Sequence, residues 1–289
     1  MTMTLAAADR QFSDLWNFEL TARLLGYDFM LQALLAVALL GLLGGILAPL
    51  IVTRQMSFAV HGISELSVTG AAAALLLGVS VNVGGVVGAV IAAAVFGFLG
   101  NKARERDSVI GVVMAFGLGL GVLFLALYGS SQTGFALLTG QVVSVGVSGL
   151  TAIAITTGAV LAVMAVIYRP LLFASTDPRV AQAHGVPVRT LSVVFAIIMG
   201  LACAQGVQII GALLVMSLMI TPGAAAARLT ANPTKVIALS VVFAEVAAVG
   251  GLILSLAPKL PVSVFVTTIS FLIYLACRMI GRRRVYRTR

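Results

Sequence analysis

His61 and Glu65 are the only acid and base between Ser57 and Gly100, inside a long apolar run. Four residues apart on a helix, they share one face, one above the other. An imidazole and a carboxylate at that spacing are the ligand types that hold Zn²⁺ or Mn²⁺. Ser64 adds a hydroxyl that can orient either group, and Ser67 extends the polar face. A charge in a membrane segment costs about 2.5–3.5 kcal/mol on insertion scales, so such residues mark ion pathways by default. The plainer alternative is a His–Glu staple between helices. Glu245 is a second acid in an apolar run; it either completes the same path or forms a salt bridge elsewhere.

The elements that must position these groups are membrane helices. Hydrophobic residues make up 61% of the 289 residues and charged ones 9%, against about 25% charged in soluble domains. Mean hydropathy is +1.14. The net charge of +9 is no nucleic-acid footprint, because basic residues fall at the ends of apolar runs without interleaved aromatics. The two cysteines, Cys203 and Cys277, lie in separate apolar runs and form no metal or disulfide framework. The opening MTMTLAAADRQF lacks the basic start of a cleavable signal peptide.

The fold class is therefore all-α and polytopic. Nine spans are expected, near 29–53, 57–79, 82–100, 108–128, 147–168, 190–206, 208–227, 235–257 and 261–280, and eight if the division near Gln205–Gln208 fails. The uncharged stretch from Ser108 to Tyr168 is too long for two helices, so Gly129–Gly134 reads as a turn and Phe135–Gly140 as a short re-entrant or surface helix. Residues 1–28 read as an extracytoplasmic interfacial segment, with Phe12, Leu15, Trp16 and Phe18 at near-helical spacing. Residues 29–281 form the membrane domain, with a cytoplasmic loop at 170–189, and 282–289 a basic tail. With nine crossings, fifteen of the eighteen basic residues fall on one side. The positive-inside rule then places the C-terminus in the cytoplasm and the N-terminus outside. Small-residue pairs such as Gly84 with Gly88 and Gly117 with Gly121 read as close helix packing.

Two further segments stand out. In Asp177–Arg189, Asp177 is a good N-cap, Pro178 suits the first helical position and Gly185 suits the left-handed stop. The resulting helix is too short to stand alone in water and needs a surface to lie on, either a partner's or its own protein's. His184 reads as a solvent-facing or docking residue, apart from the membrane pair. In Ile210–Arg228, Pro222 interrupts the hydrogen-bond ladder and is expected to kink the helix.

Together these pieces resemble the permeases of metal-type ABC importers, the ABC-3 family, which handle zinc, manganese or iron with an extracytoplasmic binding protein. The resemblance runs in order over about residues 30–280. It rests on His61–Gly70, on Asp107-Ser108-Val109-Ile110-Gly111, on Asp177–Val188, on Gly211–Pro222 and on Gly250-Gly251 to Val262. The family motif carries Asp at the position of His61, His at that of Glu65 and Pro at that of Thr69, so imidazole and carboxylate are exchanged here. The resemblance implies a multi-pass protein of the bacterial cytoplasmic membrane, working as a homodimer with its pore on the two-fold axis. It implies a metal path at His61 and Glu65, with no permanently bound cofactor, the divalent metal being cargo. It implies that a separate ATPase dimer docks on Asp177, Pro178, Arg179, Ala181, His184 and Gly185, and that a soluble protein delivers the ion. No phosphate-binding loop motif occurs in the chain, so it is not expected to hydrolyse ATP itself. The alternatives are a permease for a metal chelate or other ligand, a stand-alone carrier with Glu65 and Glu245 as proton-coupled sites, and a purely structural subunit.

Overall fold

The computed structural model describes residues 18–99, 103–129, 145–258 and 260–287. Phe12, Leu15 and Trp16 of the expected interfacial segment, and the expected short helix at Phe135–Gly140, lie outside these residues. Every described element is a helix. They are α1 (Phe18–Leu25), α2 (Asp28–Thr53), α3 (Ser57–Leu76), α4 (Val81–Leu99), α5 (Ala103–Tyr128), α6 (Val147–Thr176), α7 (Pro178–Ala183), α8 (Val188–Ile210), α9 (Ala212–Ala226), α10 (Pro233–Leu256) and α11 (Val262–Arg287).

Eight of these helices are long and apolar enough to cross a membrane. The ninth expected span is α9, which has 15 residues. Two boundaries differ from the sequence reading. Helix α6 does not stop near Tyr168 but runs through Pro170 to Thr176, since proline removes one donor without forcing a stop where packing holds the helix. Helix α8 does not end near Gln205–Gln208 but at Gly211, whose φ is +92°. Buried Gln205 stays in the helix, and Gln208 Nε2 donates to the Asn82 carbonyl at 3.1 Å. Glycine is the residue that takes the positive φ needed to end α8 and restart α9.

The core lies between α2, α3 and α8, which are mostly buried, while α5, α6 and α11 present most of their apolar surface outward. Small residues set the spacing. A Cβ on Gly70 would fall 2.3 Å from the Gly84 carbonyl oxygen, and one on Gly223 2.4 Å from the backbone of Ala48. These helix pairs therefore touch backbone to backbone. Pro222 sits beside that second contact, and Pro49 is part of it.

The basic connections gather at one end. Arg54, Arg179 and Arg189 line one cavity of about 550 Å³, and Gly281 packs on the Arg228 carbonyl. At the opposite end lies the exposed α3–α4 turn, with Gly78 at φ +69°.

Candidate functional site

Helix α3 is boxed in on most sides. A Cβ on Gly62 would lie 2.9 Å from Ile110 of α5 and 3.0 Å from Phe96 of α4. Leu66 fills the notch at Gly117 of α5. Ser67 Oγ donates to the Gly85 carbonyl of α4 at 3.0 Å. Thr69 Oγ1 donates to the Gly117 carbonyl at 2.9 Å and lies 3.3 Å from the Glu65 carbonyl. Ser64 Oγ donates back to the Val60 carbonyl at 2.8 Å and meets the Cys203 thiol of α8.

The remaining face carries His61 and Glu65. Their side chains lie together, with His61 Nδ1 4.0 Å from Glu65 Oε1. Glu65 is nearly covered, whereas the His61 side chain keeps 30% of its surface. His61 Nδ1 is buried and has no hydrogen-bond partner among the described residues. Phe58, one turn before it, is partly exposed with its ring centroid 6.4 Å from the imidazole. A nearly buried carboxylate beside an unsatisfied nitrogen is chemically suited to a cation. Metal bonds of about 2.0–2.2 Å to each would bring the two atoms to about 3.4 Å, a small rotamer adjustment.

The other intramembrane candidates lie elsewhere. The Glu245 carboxylate packs over Gly41 of α2, 3.2 Å from where a Cβ would stand. Among the described residues no group of three or more His, Cys, Asp or Glu could hold a metal. One chain thus contributes a pair, and Ser64 faces α8 rather than completing a triad.

At the basic end, Asp177 accepts hydrogen bonds from the Arg179 and Val180 amides, both at 3.1 Å, and caps α7. Gly185, at φ +81°, closes the helix, with the Gly185 amide donating to the Gln182 carbonyl and the Val186 amide to the Ala181 carbonyl. Ala181 is fully buried against the protein. His184 is exposed, with Nδ1 3.0 Å from the Val180 carbonyl and its ring edge-on to Phe173. Thus α7 turns one side inward and leaves Arg179, Val180 and His184 on the surface.

Sequence reasoning passed over Arg54. Its guanidinium donates to Ser175 Oγ at 3.0 Å and to Ser192 Oγ, and lies 5.7 Å from the Phe195 ring centroid. The one available signal was its place at the entry to the α3 motif.

The model of the ABC 3 transport family matches residues 26–281. The chain belongs to that family. It is 33% identical over 239 residues to the "Manganese transport system membrane protein MntC" of Halalkalibacterium halodurans, covering 81% of this chain and 80% of that one. It is 26% identical over 231 residues to the "High-affinity zinc uptake system membrane protein ZnuB" of Haemophilus influenzae, covering 79% and 88%. Its fold is that of the solved structure "PsaBC from Streptococcus pneumoniae in complex with Fab", with a TM-score of 0.80 at 24% identity over 90% of this chain and 94% of that one.

Proposed function

We propose that this ABC 3 family member is the permease of an importer that carries a divalent transition-metal cation, manganese or zinc, into the cytoplasm. The observation that carries the reading is the His61–Glu65 pair, with an unsatisfied imidazole nitrogen 4.0 Å from the oxygen of a nearly buried carboxylate. The names of the manganese and zinc relatives agree with it.

The protein works as a homodimer. Two copies of α3 face a shared axis, so the second pair supplies the two further ligands that one chain lacks. The basic end is cytoplasmic, with the N-terminus outside, as the charge bias of the connections requires. A separate ATPase dimer docks on α7, whose exposed side includes Arg179 and His184. An extracytoplasmic binding protein delivers the ion. ATP binding draws the docking helices together, and the bundle alternates between outward and inward access. The site holds its cargo weakly enough to release it.

The test is uptake of radioactive manganese or zinc into cells or vesicles containing the whole complex. His61→Ala and Glu65→Ala are each expected to abolish uptake while membrane insertion and ATPase assembly persist. Full uptake in both variants would remove the pair from the path and the reading with it.

A further inference from the structure

We infer that Arg54 is the positioning residue that ties the docking helix α7 to the metal-facing helix α3, an inference that rests on the function proposed above. Arg54 caps α2 at the turn into α3, seven residues before His61. Its two terminal nitrogens reach separate acceptors. One donates to Ser175 Oγ at the end of α6, two residues before the Asp177 cap, and the other to Ser192 Oγ in the first turns of α8. These two serines bracket the docking segment 177–187.

The acceptors are set in advance. Ser175 Oγ spends its single proton on the Leu171 carbonyl at 2.6 Å, and Ser192 Oγ on the Val188 carbonyl at 2.9 Å. Each hydroxyl therefore turns only lone pairs toward Arg54. A planar guanidinium meets both at once, which the compact ammonium of lysine cannot do in the same geometry. The fully buried Phe195 ring beside it limits how far the group can swing.

The turn that carries Arg54 is stiff. Gln55 has φ +54°, the Gln55 amide donates to the Val52 carbonyl at 3.1 Å, and the Met56 amide donates to the Ile51 carbonyl at 2.9 Å. This is the paired pattern of a Schellman stop, with buried Met56 as its apolar contact. A shift of α6 and α8 at the docking segment is passed through the guanidinium into a turn that does not flex, and so into α3.

The experiment uses the full permease reconstituted with its ATPase and binding protein, and Mn²⁺ as the transported probe. Arg54→Ala and the double variant Ser175→Ala/Ser192→Ala are compared with the three substitutions combined. Assembly and ATP hydrolysis are expected to stay within about twofold of wild type, while Mn²⁺ moved per ATP falls at least tenfold in each. The combined variant is expected to be no worse than either, because all three groups act as one unit. Arg54→Lys is expected to recover the ratio only in part. Spin labels at Phe58→Cys and, separately, Thr176→Cys report across the dimer. On ATP binding, the distance at 176 is expected to change in the Arg54→Ala protein as in wild type, and the change at 58 to be lost. The inference is overturned if the 58 distance still follows ATP, if flux per ATP is unchanged, or if the substitutions lower only the yield of folded complex. Wild-type protein without any ATP-driven Mn²⁺ uptake would overturn the proposed function along with it.

Discussion

The segment 177–187, which carries α7, is held by its own backbone, whereas α3 is held by its neighbours. Asp177, Pro178 and Gly185 start and stop α7 within one short stretch of chain. Helix α3 has no side-chain cap, and its place is fixed by Gly62, Leu66, Ser67, Thr69 and Gly70 against α4 and α5. A change in the first region should therefore act locally. A change on a contact face of α3 should move a helix. His61 and Glu65 sit among these packed faces, Glu65 nearly buried and His61 partly exposed.

Substitutions that add bulk to the packed faces test this most severely. Gly70→Val places a methine carbon 2.3 Å from the Gly84 carbonyl oxygen, a backbone atom that cannot rotate away. The expected cost exceeds about 4 kcal/mol, in the range of severe overpacking. Thermal unfolding of the detergent-solubilised protein measures it, and a melting temperature near wild type would show that α3 and α4 are not in backbone contact. Gly185→Val is milder. A β-branched residue at φ +81° costs about 1–2 kcal/mol locally, so the bundle stays folded while the docking helix loses its stop. Uptake per ATP is expected to fall severalfold, and a bulky residue at buried Ala181 should act likewise; unchanged flux in both would count against docking on α7. Asp177→Ala is milder still. Loss of the two capping bonds costs about 1 kcal/mol. Titration with the purified ATPase is expected to show a few-fold weaker association, with metal binding at His61 and Glu65 unaffected. Equal damage to both functions would erase the distinction between the two regions.

What could be read from the sequence follows the same division. The short helix α7 was legible because its signals are a cap, a proline and a glycine within nine residues. The pairing of His61 with Glu65 was legible because helical spacing alone puts them on one face. Most spans were legible from apolar length. The continuation of α6 past Tyr168 was missed because the uncharged apolar stretch stops at Arg169, whereas the helix runs on through Pro170. The α8–α9 break was misplaced because Gln205 and Gln208 look like loop residues until Gln205 is seen buried and Gln208 bonded to Asn82. Two facts were out of reach. Nothing local places Glu245 over Gly41 rather than beside Glu65, and nothing local joins Arg54 to Ser175 and Ser192, which lie 121 and 138 residues away.

The shortness of α9 has a consequence for how far a cation must travel through low dielectric. Helix α9 runs parallel to α2, with Leu218 at the level of Gly44 and Gly223 at that of Ala48. Counting back six residues in each helix puts Ala212 level with Ala38, ten residues past Asp28, or about 15 Å below the start of α2. Irregular backbone at such depth survives only where protein or water covers it, and Gly211 and Ala212 are both buried. Helix α2, at 26 residues, spans about 39 Å and outruns a hydrocarbon layer about 30 Å thick, so the reversal lies within that layer on the side where α2 starts. An ion on the proposed path would meet backbone dipoles below the edge of that layer, so its dry gap would be thinner than the bilayer itself.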